Sequence, residues 1–222
     1  MSKMDPNALM GRKLGINWAD FGETDFHDTK IAFAVRGTEG KSVLDIGCVQ
    51  HNPENYQSKY WVHKALTARA GSVVGLDLDS EGADYLRSRG FDIVAMDAQD
   101  FDLGRKFDVI FAGDVLEHLE DFGGFLASCK AHLNPGGELR ITTPNPWYWR
   151  NIVKAIWNKE VANNPEHTCW LCPRTLRQLV RRHGLDVFEI TFSSRYPRDL
   201  LMPLPRGIKH TSWYASVRVA NS

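Results

Sequence analysis

The 222-residue sequence has no net charge, since lysine plus arginine and aspartate plus glutamate stand at 27 each. That balance removes any overall pull toward a nucleic-acid backbone or an anionic bilayer and favours a small, uncharged or mixed-charge partner. There is no run of the roughly 18 apolar residues that would span a bilayer, and positions 1–26 hold no apolar stretch of the kind found in a secretory signal. The expectation is a cytoplasmic protein with no membrane insertion and no nucleic-acid partner. Cysteine is scarce, with only Cys48, Cys129, Cys169 and Cys172. A chain of this length can bury a sizeable core without cross-links, so reduced thiols are expected. The phosphate-binding pattern Gly-x-Gly-x-x-Gly is also missing, which disfavours an NAD(P)-dependent oxidoreductase, because a pyrophosphate needs such close backbone approach.

What is present is a repeating alternation of short apolar runs and helical patterns. Residues 41–47 read as a buried strand stopped by Gly47. Asn52-Pro53-Glu54 then opens a helix carrying Tyr56, Tyr60, Trp61, Lys64, Ala65 and Ala68. Residues 72–77 are a second strand, 80–88 a helix begun by a Ser80 cap and stopped by Gly90, and 91–96 a third strand. Residues 107–112 form a fourth strand. Leu116, Leu119, Phe122, Phe125, Leu126, Cys129 and Leu133 mark one long amphipathic helix closed by Asn134-Pro135-Gly136-Gly137. Residues 138–143 are strand five and 173–183 a helix, while 186–194 and 211–219 pair as an antiparallel hairpin at the sheet edge. Together they predict an α/β fold: a doubly wound, mostly parallel seven-stranded sheet with helices on both faces and an antiparallel edge strand. Residues 25–36 are expected to form a helix on the sheet edge, with 1–24 loose or part of a lid. The predicted division is an N-terminal segment and helix over 1–40 and one ligand-binding domain over 41–222.

In a sheet of this kind the ligand sits at the carboxyl ends of the strands. Strand one delivers Asp45-Ile46-Gly47-Cys48, in which the glycine lets backbone approach a ligand closely. Strand two delivers Asp77 and Leu78, and a carboxylate there can accept hydrogen bonds from two ribose hydroxyls. Asp79 reads as a solvated charge at a helix start. Strand three ends in Asp97-Ala98, suited to an adenine amino group and a flat ring, and strand four in Gly113-Asp114.

These motifs resemble the class I S-adenosylmethionine-dependent methyltransferases, in particular their small-molecule branch, over roughly residues 41–194. The resemblance rests on Val43-Leu44-Asp45-Ile46-Gly47-Cys48, Val74-Gly75-Leu76-Asp77, Asp97-Ala98, Phe107-Asp108-Val109-Ile110 with Asp114-Val115-Leu116-Glu117-His118-Leu119, and Leu133-Asn134-Pro135-Gly136-Gly137 followed by Ile141-Thr142-Thr143-Pro144-Asn145. It implies methyl transfer from S-adenosylmethionine, with Asp45, Gly47, Cys48, Asp77, Leu78, Asp97, Ala98 and Gly113 around the cofactor. The sequence departs from the pattern after Gly47, where Val49, Gln50 and His51 replace the usual further glycines. The loop is therefore expected to bend differently and still bind.

Methyl transfer asks the protein for positioning and, for an acceptor of ordinary acidity, a base. His118, His167 and Asp114 are the candidates in that order, because an imidazole titrates nearest neutrality. The aromatic and basic stretch after strand five suggests an acceptor cap over about 144–172, with Trp147 and Trp170 lining the acceptor. Residues 196–210 either complete that cover or meet a partner chain. His167, Cys169 and Cys172 offer three soft ligands without a second Cys-x-x-Cys pair, so packing is expected and no metal. The expected acceptor is a small molecule such as a sugar, lipid precursor, quinone-like ring or natural-product intermediate, handled by a monomer or homodimer. The rival reading is a non-catalytic S-adenosylmethionine-binding regulatory domain.

Overall fold

A computed structural model of the chain describes residues 26–50, 52–157, 159, 161, 164–194, 196, 199 and 201–220. The segment 1–24 and His51, both singled out above, lie outside the described residues. The sheet has seven strands in the order β3-β2-β1-β4-β5-β7-β6. Strand β1 (Ser42–Ile46) lies between β2 (Ser72–Asp77) and β4 (Phe107–Gly113), parallel to both. Strand β3 (Ile93–Ala95) extends the parallel set beyond β2, and β5 (Leu133–Pro144) extends it beyond β4. The late strands form the expected antiparallel hairpin, and within it β7 (Ser212–Val219) inserts between β5 and β6 (Leu185–Ser193), antiparallel to each.

The two-residue period of the strands divides the core. Leu44, Ile46, Ile110 and Ala112 face one layer, where α4 (Phe122–Ala131) contributes Phe125 and Leu126 and α6 (Pro173–Arg182) contributes Leu176 and Val180. Val43, Val109 and Phe111 face the other, against Phe33 and Ala34 of α1 (Phe26–Val35) and Val62 and Leu66 of α2 (Val62–Thr67). Both faces of β1 and β4 are therefore covered, which is why these strands read as continuous apolar runs.

Three expected elements differ. The helix from Pro53 breaks into a 3-10 turn (Pro53–Gln57) and α2. Between them the Ser58 hydroxyl accepts from Tyr60 N at 3.1 Å, a side-chain bond that competes with helix continuation. The Trp61 indole donates to Cys48 O at 2.7 Å, which draws the chain inward. The long helix after β4 begins only at Phe122. Before it come a 3-10 turn (Leu116–His118) and an extended Leu119, because Glu120 N and Asp121 N are both taken by Gln99 Oε1, at 2.8 and 2.6 Å. That helix ends at Ala131, ahead of Asn134-Pro135-Gly136-Gly137, which falls inside β5. Helix α3 (Ser80–Arg87) is capped by Asp79 and not by Ser80, since the Asp79 carboxylate accepts from Gly82 N at 3.0 Å.

The loop after β1 bends through two left-handed residues, Gly47 at φ +76° and Gln50 at φ 60°. Glutamine thus takes a conformation that glycine adopts without steric cost. Helix α1 is held by Arg140, 2% exposed, which donates to Phe33 O at 3.1 Å and Ala34 O at 2.8 Å and pairs with Glu138.

Two stability measurements test this account. Gln50→Gly should be neutral or stabilising and Gln50→Val should lose on the order of 1–2 kcal/mol in urea unfolding; equal stability of all three proteins would remove the strain. Arg140→Met should lose about 3 kcal/mol by stranding Glu138 and two helix-end carbonyls; a loss under about 1 kcal/mol would show that α1 is held elsewhere.

Candidate active site

The carboxyl ends of β1, β2 and β4, with the loop after β3, open into one cavity of about 710 Å³, a size that takes a small organic ligand. Its wall includes Asp45, Gly47, Cys48, Asp77 and Leu78, then Asp97, Ala98 and Gly113, then Asp114 and His118. All eight residues nominated for the cofactor are thus brought together.

At the β1 end, a Cβ built on Gly47 would stand 2.8 Å from Val115 Cγ2, so a side chain there would collide with the turn that follows the neighbouring strand β4. Asp45 is buried and pairs with the buried His63 of α2, Nδ1 to Oδ2 at 3.0 Å. That pairing fixes the strand end from behind. Cys48 contributes backbone to the wall, while its sulfur lies in the cluster beneath, close to Gly75; burial pushes its thiol pKa up.

At the β2 end, Asp77 Oδ2 accepts from Val49 N at 2.8 Å and Oδ1 from Asp79 N at 3.1 Å. The carboxylate ties the β1 loop to β2, and burial raises its pKa above the ordinary carboxylate range. Beside it Leu78 is 74% exposed, a bare apolar surface on the cavity wall. Asp97 Oδ1 accepts from Gln99 N at 2.8 Å, which shapes the turn that presents Ala98.

The β4 end carries the charge. Asp114, at φ 55°, receives Lys30 Nζ on Oδ2 and the Thr142 hydroxyl on Oδ1, each at 2.9 Å. Burial opposes ionisation of both partners, but their pairing wins: Asp114 is held below the usual carboxylate range and Lys30 above its ordinary value. Glu117, buried on the following turn, accepts from Thr143 Oγ1 at 3.0 Å. Burial first, and then the charge of Asp114, push its carboxyl up to about 8. His118 stands on the cavity wall with the His167 ring perpendicular to it, centroids 4.9 Å apart. Burial, and next His118, lower the pKa of His167.

Other nominations fall elsewhere. Trp147, 57% exposed, and the half-buried Trp170 are not on the cavity wall. Cys169 Sγ donates toward Leu116 O at 3.6 Å, and Cys172 caps α6 through Thr175, so the sulfurs do not join His167. The described residues Asp199, Gly207 and His210 of the 196–210 stretch do meet the start of the cap. Buried Asp199 accepts from Tyr148 and Trp149 and forms an ion pair with Arg150 at 3.6 Å, and Asn145 Nδ2 donates to Gly207 O and His210 O, both at 2.8 Å.

Lys30, Gln99 and Glu117 are site residues that the sequence reading did not nominate. Lys30 had one signal, a lone cation in the otherwise apolar stretch Ile31-Ala32-Phe33-Ala34-Val35 that follows it. Glu117 lay inside a quoted motif, overshadowed by its histidine neighbour.

The profile of the methyltransferase-domain family matches residues 23–190. Among curated proteins the chain is 30% identical over 145 residues to a fatty-acid O-methyltransferase of Mycolicibacterium smegmatis, covering 63% of this chain and 48% of that protein. It is 25% identical over 188 residues to a ubiquinone biosynthesis O-methyltransferase of Coxiella burnetii, covering 77% of this chain and 74% of that one. The chain thus spans about half the length of the first relative and three quarters of the second. Among solved structures, a SAM-dependent methyltransferase from Archaeoglobus fulgidus superposes with a TM-score of 0.63 at 17% identity, covering 96% of this chain and 99% of that one. With the family profile spanning most of its length and the sheet order in agreement, this chain belongs to the methyltransferase-domain family and has its class I fold.

Proposed function

We propose that this chain methylates a hydroxyl oxygen of a small-molecule acceptor, with S-adenosylmethionine as methyl donor. The observation that carries the reading is the arrangement of three wall features: the Gly47 bend that a Cβ would block, the Asp77 carboxylate, which pairs with no cation among the described residues, and the exposed Leu78. They fit an adenosyl group of that donor. Asp77 would accept from the ribose hydroxyls, Leu78 and Ala98 would face the adenine ring, and Asp97 would take its amino group. Gly47 would admit the amino-acid portion past the β1 loop. The choice of oxygen rests on the two curated relatives, both O-methyltransferases.

When bound, the donor supplies an electrophilic methyl group on a sulfonium, so the hard chemistry is its own. The chain's residues position the acceptor and manage its proton. Asp114 is not the base, because Lys30 and Thr142 occupy its oxygens and hold it ionised. Its part is to fix Lys30 and the turn beyond β4. His118, backed by His167, is the group that faces the acceptor. The residues from about 144 to 172, clamped through Asp199 and Asn145, form the acceptor cap of a domain running from 41 to 222, with the segment 1–40 supplying α1. No described helix is long and apolar enough to cross a membrane. The reading places the chain in the cytoplasm, where its four cysteines would stay reduced.

Isothermal titration with S-adenosylhomocysteine should show saturable binding, weakened on the order of 10- to 100-fold in Asp77→Ala, the cost of losing charge-assisted hydrogen bonds. No binding, or binding of NADH in its place, would overturn the assignment. Lys30→Met should lose about 2–3 kcal/mol of stability, toward the lower end for a broken buried pair because Asp114 keeps a third of its side-chain exposure. Unchanged stability would mean that the pair is solvated and does not organise the site.

A further inference from the structure

At the edge of the cavity, where His118 lines its wall, the 3-10 turn after β4 and the segment before α6 bring three metal-competent side chains together. The buried Glu117 and the half-buried His118 and His167 place one ligand atom each within 4.8 Å of the others. We propose that Glu117, His118 and His167 hold a divalent transition-metal cation at the acceptor end of the cavity.

Several independent features support a built site. The segment bearing His167 is fastened to the turn bearing the other two. Thr168 N donates to Glu117 O at 2.8 Å, and the Thr168 hydroxyl reaches Glu117 O at 3.2 Å and Leu119 O at 3.0 Å. His167 Nδ1 is buried with no hydrogen-bond partner among the described residues, a costly state that a ligand would relieve. Thr143 donates to Glu117 Oε2 and so fixes the carboxylate from behind, as outer-shell groups do at metal centres. Nearby Asp114 is excluded, since both its oxygens are engaged.

The donor set decides the class of ion. Two imidazoles and one carboxylate suit zinc, manganese or iron(II), leaving coordination positions open, whereas magnesium prefers oxygen donors. Tetrahedral ligand atoms about 2.1 Å from zinc stand roughly 3.4 Å apart, so side-chain adjustments of about an ångström would close the set. His118 lies on the cavity wall, so a cation held there would be within reach of an acceptor in the cavity. Building on the methyltransferase reading, the cation would take the acceptor's hydroxyl oxygen and lower its pKa, releasing the proton to water. The oxygen–carbon bond to the methyl group then forms as the sulfur–carbon bond breaks, with that bond's electron pair remaining on sulfur.

The test uses the full chain, freed of metal by a chelator and desalted, titrated separately with Zn2+, Mn2+ and Mg2+ and, in parallel, with S-adenosylhomocysteine. One equivalent of Zn2+ or Mn2+ should bind, more tightly than Mg2+. His167→Gln should weaken it on the order of 100-fold or more and Thr143→Val roughly 10-fold, since outer-shell losses alone cost about 10- to 100-fold. Both variants should keep their S-adenosylhomocysteine affinity, which also shows that they fold. Absence of saturable Zn2+ and Mn2+ binding, or equal binding by His167→Gln, would overturn the site. Protein that binds S-adenosylhomocysteine but no cation refutes the metal site alone; protein that binds a cation but not S-adenosylhomocysteine refutes the methyltransferase reading.

Discussion

Two acidic side chains, Asp114 and Glu117, are set three residues apart at the carboxyl end of β4, and without a metal cation beside them only one of the two stays charged. Lys30 supplies its ammonium to Asp114, with Thr142 on the other oxygen. Glu117 receives a neutral donor from Thr143, and burial beside an ionised neighbour holds its proton to about pH 8. Two carboxylates this close cannot both ionise in a poorly solvated pocket without a compensating cation. The N-terminal helix is thus part of the site, because it carries Lys30. Arg140 in turn matters to the site by holding the end of that helix through its carbonyls.

The opposite side of the cavity meets a different constraint, which is backbone conformation. A loop with Val49 and Gln50 in place of glycine has fewer allowed turns. It resolves this by placing Gln50 in the left-handed region, anchoring Val49 N on Asp77, and taking the Trp61 indole on Cys48 O. One carboxylate therefore ties two strand ends together and still lines the cavity, half-buried and with no cation beside it among the described residues. The same indole contact draws Trp61, just ahead of α2, against the β1 loop, so the break in the helical pattern that begins at Pro53, where Ser58 takes Tyr60 N, also serves the shape of that loop.

Much of this was legible in the residue order, and for identifiable reasons. Strands covered on both faces must be apolar throughout, so β1, β2 and β4 stand out as short runs that stop at Gly47, Asp77 and Gly113. Strand ends converge in a parallel sheet, so the side chains following those runs could be nominated for one pocket before their distances were known. Helix boundaries were less legible. They were decided by Gln99 taking two backbone N–H groups from the turn before α4, and by Ser58 competing for one before α2. Both are polar side chains whose partners cannot be read from periodicity.

The sequence by itself determined the layering, the mostly parallel sheet with its antiparallel edge hairpin, and the row of carboxylates and glycines at the strand ends, because burial on both faces and backbone freedom are local demands on residue type; the strand order came from the tertiary structure. Only the tertiary structure decided which cation neutralises Asp114 and which polar group meets Glu117. Only it could bring His167 against His118 across about fifty residues of chain, or carry Trp147 and Trp170 away from the cavity they seemed placed to line. Such pairings depend on how separate elements dock, and electrostatics in a buried pocket is a property of the docked neighbours and of no single stretch of sequence.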